Sequence, residues 1–231
     1  MYKFVRFLSL LTLLLGLPLA AFAVGLADIS NQDATGGLKE ALTQGATKAV
    51  ASLGKTDGFL GNGKVKIPLP KTLKQSEKLL RAAGMGKQAD ELVTAMNRAA
   101  EAAVPEAKEL LVGAIKSMSV DDAKKILTGG DDSVTRFFRD KTGKQLTEKF
   151  LPIVKTQTAK VDLAQKYDQV AGQATKFGVI KQEDANIDQY VTKKAIDGLF
   201  TMIAEEERAI RANPLGAAGN LAQKVFGALG K

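Results

Sequence analysis

Three glutamates in succession, Glu205, Glu206 and Glu207, stand in the C-terminal half of a helical stretch, where acidic side chains oppose the helix dipole instead of complementing it. At about 100° per residue, Glu206 and Glu207 flank the apolar stripe of Leu199, Ile203 and Ile210, while Glu205 points away. Two carboxyls bordering an apolar surface can hold raised proton affinities and serve as general acid and base, the chemistry of a carboxylate-dependent hydrolase acting on envelope glycans. The plainer alternative pairs Glu207 with Arg211 one turn on and leaves Glu206 at the rim of the core. It is preferred, because a broken local rule is only a hint of function. A second candidate is the loop Thr128-Gly129-Gly130-Asp131-Asp132-Ser133. Asp131 and Asp132 are hard oxygen ligands suited to a divalent cation, and in the hydrolase reading they supply a partner for Glu206 or Glu207. Helix capping accounts for the same residues without a ligand, and the alternate-position acids of a calcium loop are missing. Asp57 and Asn62, in the stretch 55–63, divide in the same way between a cation site and turn chemistry. The expectation is therefore neither metal nor cofactor.

The chain has no cysteine and no histidine. That removes zinc sites of the usual kind, thiol nucleophiles, haem ligation by histidine and the serine-histidine-aspartate triad. With three tyrosines and no tryptophan, stacking sites for sugars or bases are also poorly supplied. The formal net charge is +8, two units of which are Lys3 and Arg6 at the N-terminus. A basic balance favours anionic partners such as lipid headgroups or cell-wall polymers rather than nucleic acid, although the charges are scattered and fit a solvated surface.

The elements that must position these groups are helices. Lys3 and Arg6 precede the apolar run 7–15, and Ala21-Phe22-Ala23 provides the small-x-small pattern of a signal-peptidase site, so residues 1–23 read as a secretory signal peptide and 24–231 as one helical domain. Pro18 interrupts the apolar run well short of the roughly 20 residues a membrane span needs. From Ser30 onward apolar residues recur at three- and four-residue spacing, which predicts an all-α, irregular multi-helix bundle. Helices are expected over 33–53, 72–83, 88–103, 106–118, 121–127, 133–140, 144–158, 162–177, 186–212 and 215–229, with breaks at Gly54, Gly84 and Gly86, Gly129 and Gly130, and Pro214. Ser30 with Asp33, and Ser119 with Asp122, have capping-box spacing, and Pro105 suits a first helical turn. Residues 55–70 are expected to be a loop pinned by Phe59 and Leu60, with Val65, Ile67 and Leu69 alternating as an extended piece. Ala99, Ala100, Ala102 and Ala103 make a small-residue face, with Asn97 at its border as a buried polar contact and Arg98 solvated on the other side. Near the C-terminus Leu221, Val225, Phe226 and Leu229 form an apolar face. Docking on the bundle is preferred for it over lying on a membrane or a partner.

Six segments carry a resemblance: 28–50, 54–70, 96–111, 126–139, 148–154 and 186–211, with DISNQDATGGLKEALTQ, GKTDGFLGNGKVKIPLP and NIDQYVTKKAIDGLFTMIAEEERAIR among them. In order and spacing they resemble the bacterial domain of unknown function 4197 family. The resemblance implies an exported helical protein of mainly Gram-negative bacteria, and it carries no catalytic residues over to this chain. The reading at this stage is a non-enzymatic periplasmic binding or interaction protein, its partner an envelope protein, a lipid or a cell-wall polymer. A glycan hydrolase and a peripheral lipid-binding protein are the alternatives.

Cleavage after Ala23 predicts that the exported chain begins at Val24. Intact mass of the protein expressed with its own N-terminus checks this; precursor mass in the membrane fraction would make residues 1–23 an anchor.

Overall fold

Ser30 opens the first helix by accepting from the Asp33 N–H at 3.0 Å, and its hydroxyl donates to the Asp33 carboxylate at 2.8 Å. The computed structural model describes residues 30–75, 77–82, 84, 86–161, 164–165, 167–168 and 186–213. Among them the elements are α1 (Asn31–Leu53), α2 (Lys71–Gln75), α3 (Glu77–Ala82), α4 (Gly86–Ala103), a 3-10 turn (Val104–Glu106), α5 (Ala107–Lys116), α6 (Val120–Leu127), α7 (Ser133–Thr158) and α8 (Ile187–Ala212). No strand occurs among the described residues, so the chain is all-α as its periodicity predicts. No helix among them is long and apolar enough to cross a membrane. The helices expected over 215–229 and, for the most part, over 162–177 lie outside the described residues, as do Pro214 and the face Leu221, Val225, Phe226 and Leu229.

The centre is an antiparallel pair. Ser133 at the start of α7 meets Glu207 and Arg211 near the end of α8, Arg139 meets Asp197, and Thr158 at the end of α7 meets Asp188 at the start of α8. α4 packs across both members of the pair, and α1, α5 and α6 close the remaining sides. Small residues permit the close crossings: Gly45 of α1 faces the Glu206 side chain of α8, and Ala99, Ala100 and Ala103 of α4 are fully buried.

Three boundaries differ from expectation. α7 is one continuous helix and does not break between 140 and 144. Val134, Phe138, Thr142, Leu146, Phe150 and Val154 recur every fourth residue and are all buried, so packing carries the helix through Gly143. The Thr142 hydroxyl meets no solvent because it donates to the Phe138 carbonyl at 2.7 Å. Gly86 begins α4 instead of ending the preceding element, which is helical over Lys71–Gln75 and Glu77–Ala82. Pro105 sits in the 3-10 turn before α5, where its missing N–H costs no helical bond.

Residues 54–70 wrap the bundle as a strap, a run of backbone-bonded turns as far as Val65 followed by an extended piece over 66–70. Val65, Ile67 and Leu69 are buried and Lys64, Lys66 and Pro68 exposed, the alternation of a strand with no neighbouring strand. Side chains supply the missing ladder. Asn97 accepts from the Ile67 N–H at 2.8 Å and donates to its carbonyl at 2.9 Å; Glu101 accepts from the Phe59 and Leu60 N–H groups at 3.0 and 3.1 Å; the Tyr190 hydroxyl donates to the Pro68 carbonyl at 3.1 Å. Asp57 turns the strap with φ +63°, and Gly58 follows because a Cβ there would stand 2.3 Å from the Leu53 carbonyl oxygen. Phe59, fully buried, lies against Gly198 of α8.

A Cβ at Gly198 would come 2.7 Å from the Phe59 ring and 3.3 Å from Val65. Gly198→Ala should therefore cost about 1–3 kcal/mol despite alanine's better helix propensity. Gly143→Ala meets nothing within 4 Å and should gain up to about 1 kcal/mol. Urea melts of the two variants measure the contrast, and equal effects would show that Phe59 yields freely.

Candidate functional site

Arg139, Gly143, Thr147 and Leu151 recur every fourth residue along α7, and Gln189, Thr192, Lys193, Ile196, Asp197 and Phe200 recur at three- and four-residue spacing along α8. Because the helices are antiparallel, these rows face one another along a trough of about 460 Å³. Twelve residues separate Arg139 from Leu151, which at about 1.5 Å per residue makes the trough roughly 18 Å long. Its floor is apolar, from Phe200 through Ile196 to Leu151. At one end the Arg139 guanidinium lies over the Phe200 ring, 4.7 Å from its centre, and reaches a single oxygen of Asp197 at 3.3 and 3.4 Å. Those bonds are long for an ion pair, and they leave donors of the guanidinium uncommitted. Thr192 is 2% exposed, and its hydroxyl makes no hydrogen bond. At Gly143 the missing side chain leaves open space.

A second cleft, of about 560 Å³, lies between α6 and α7. Lys125, Arg136 and Lys141 share it with Asp122 and Asp140, over Ile126 and Phe137. Asp122 is held by the Ser119 capping box, whose backbone and hydroxyl donors keep its carboxyl below the usual aspartate range. Arg136 pairs with Asp132 at 3.2 Å. The cleft is polar and its charges are mixed in sign.

The three successive glutamates go to three different elements. Glu205 accepts from Lys64 of the strap at 2.7 Å, so it does not point away from the protein as the helical wheel suggests. Glu206 pairs with Lys48 of α1 at 2.7 Å. Glu207 is buried between α8 and α7, where its Oε1 accepts from Arg211 Nε and Nη2 at 3.1 and 3.0 Å and lies 3.3 Å from the Ser133 hydroxyl. Arg211 also donates to the Ile126 carbonyl at 3.0 Å and to the Ser133 hydroxyl at 3.0 Å, so one guanidinium ties the ends of α6 and α8 to the start of α7. Burial pushes the Glu207 carboxyl above its ordinary range; Arg211, the Val134 backbone and Ser133 pull the other way without restoring it.

Asp131 and Asp132 are both exposed. Asp132 occupies the position before α7, but its carboxylate makes no capping bond and turns to Arg136 instead. Ser133, expected among the capping residues, is drawn inward and bonds the Ile126 carbonyl at 3.0 Å. Asp57 pairs with Arg98 at 2.8 Å, and Asn62 accepts from the Lys64 N–H at 3.1 Å. Among the described residues no three acids, histidines or cysteines group closely enough to hold a metal ion. Arg98 is not simply solvated: it bridges Asp57 and the buried Glu101, the latter at 2.6 Å. Sequence reasoning passed over Glu101, although Asn97 and Glu101 are four apart on an otherwise apolar face, a spacing that marks paired buried polar groups. It also passed over Asp168, which accepts from the Ile187 N–H at 2.8 Å and from Asn186 at 3.1 Å. Burial raises the Asp168 carboxyl, opposed by the Ile187 bond and assisted by the charge of Asp188.

A family model described as Protein of unknown function (DUF4197) matches residues 28–227. The chain belongs to this family. No curated protein and no solved structure matches it. The matched residues include both walls of the α7–α8 trough, the strap and the Glu207–Arg211 latch, so all three belong to the DUF4197 portion of the chain.

Glu207 binds its proton more readily in the folded than in the unfolded chain, so folding takes up protons there. Its contribution to stability therefore falls as pH rises from the ordinary glutamate range through the raised folded value. Glu207→Gln abolishes that fall. From about pH 4 to about pH 7 the melting temperature of the variant should rise relative to that of the native chain. A constant offset would mean that Arg211 cancels the effect of burial.

Proposed function

We propose that this protein is an exported binding protein of the Gram-negative periplasm, and that it works by holding a ligand in the α7–α8 trough rather than by catalysis. The observation that carries the reading is the trough itself: an apolar floor with an uncommitted guanidinium at one end and a buried, unpartnered hydroxyl in its wall. Sites for small molecules share that make-up, mostly apolar with a few polar groups that fix orientation, and about 300–1,000 Å³ in volume. The N-terminal pattern of residues 1–23 supports export, and a chain without cysteine needs no disulfide chemistry after it.

The hydrolase alternative has one observation in its favour, the raised proton affinity of Glu207. Against it, that side chain is 1% exposed and bound to Arg211, and Glu206 is turned to α1 by Lys48. A general acid has to reach its substrate.

Native mass spectrometry of the protein released from the periplasm by osmotic shock tests the proposal. A bound small molecule is expected in the native chain and absent in Gly143→Leu, which fills the trough where nothing else stands. Recovery only from the cytoplasm would overturn the export reading, and a ligand retained in Gly143→Leu would move the site elsewhere.

A further inference from the structure

Resting on the trough as the binding site, we propose that its ligand is an anion-headed single-chain amphiphile, an acyl chain ending in a carboxylate or a phosphate. Three features of the trough select this class. The guanidinium of Arg139 is held over Phe200 and reaches its carboxylate partner only through two long bonds to one oxygen, so an anionic head can engage the remaining N–H donors beside Asp197. From that point the floor runs apolar through Phe200 and Ile196 to Leu151, and Gly143 leaves space above it where a side chain would otherwise stand. The residues that line it run roughly 18 Å along α7, so the trough is elongated rather than round. It therefore suits a narrow flexible chain better than a compact ring system.

The Thr192 hydroxyl refines the class. Buried and unpartnered, it stands five residues from Asp197 along α8, or about 7–8 Å at the helical rise. A buried hydroxyl without a partner is unfavourable, and a ligand acceptor at that depth removes the cost. An ester carbonyl between head and chain, as in a lysophospholipid, supplies one. A free fatty acid does not.

The head and the chain are tested separately by titration calorimetry on the full chain with laurate, with a lauroyl lysophosphatidylglycerol and with the uncharged monolauroyl glycerol. Both anionic probes are expected to bind, and the neutral one at least tenfold more weakly. Arg139→Gln should remove that difference, and Thr192→Val should weaken the two esters, the lysophospholipid and the monolauroyl glycerol, while leaving laurate unchanged. Gly143→Leu should abolish binding of every probe while its melting temperature stays at or above that of the native chain. Equal affinity for neutral and anionic probes would overturn the anionic head. No binding by any of the three, with a Gly143-dependent ligand still present by native mass spectrometry, would overturn the acyl class and leave the trough standing. Probe binding undiminished in Gly143→Leu would overturn both readings.

Discussion

Backbone polar groups of an irregular segment cannot be left unpaired against a helical core, and this constraint organises the DUF4197 fold. Residues 54–70 cross helices whose own N–H and C=O groups are already spent within their turns; up to Lys66 the segment bonds partly to itself through turns, and beyond that it lies extended. The segment is held because α4 offers side chains in place of a neighbouring strand. Asn97 reproduces both bonds of a ladder pair at Ile67, and Glu101 takes two consecutive N–H groups at Phe59 and Leu60. Once the backbone is satisfied, Phe59, Val65, Ile67 and Leu69 become part of the core, and Phe59 reaches α8 at Gly198. A strap, a helix face and the central helix pair are thus joined through two polar residues of one helix.

The central pair shows how a helical protein builds a site without breaking a helix. α7 and α8 are long and antiparallel, and each places a row of residues along the seam at turn spacing. Where both rows carry full side chains the seam closes into core. Where α7 carries glycine at 143 and a small polar residue at 147, it opens into the trough. The same regularity that gives firm walls gives the site its length, so its extent follows from helix geometry, while its chemistry comes from the few residues that depart from the apolar pattern.

Charge serves assembly in this molecule. Glu205, Glu206 and Glu207 fall on three sides of α8 because successive residues of a helix diverge by about 100°, and each meets a cation on a different element: Lys64 on the strap, Lys48 on α1, Arg211 within α8. The exposed pairs contribute modestly. The buried Glu207 contributes differently, for its carboxyl is kept from solvent while Arg211 spends its remaining donors on the Ile126 carbonyl and the Ser133 hydroxyl. Removing either partner would strand the other in the interior.

The helical class, the capped starts at Ser30 and Ser119, the alternating sides of Val65 to Leu69, and the absence of thiol and imidazole chemistry follow from the order of residues alone. Each of these depends on residues close in the chain or on composition alone. The pairing of Glu207 with Arg211 was legible for the same reason, since the two are one turn apart. What depends on partners distant in sequence was fixed by how the helices pack. The expected helices ended at 140 and resumed at 144, and α7 runs through that interval because Phe138, Leu146 and Phe150 are buried against other helices. Asp132 looked like a cap, and Arg136 holds it away from the helix end. Thr192 gave no local signal, because a hydroxyl in a mixed helix is unremarked until the opposite wall is in place; Glu101 offered only its four-residue spacing from Asn97, and the groups it binds came with the strap. The trough is the extreme case: its two rows lie on helices whose facing residues are tens of positions apart, and no local pattern records which residues will stand opposite which.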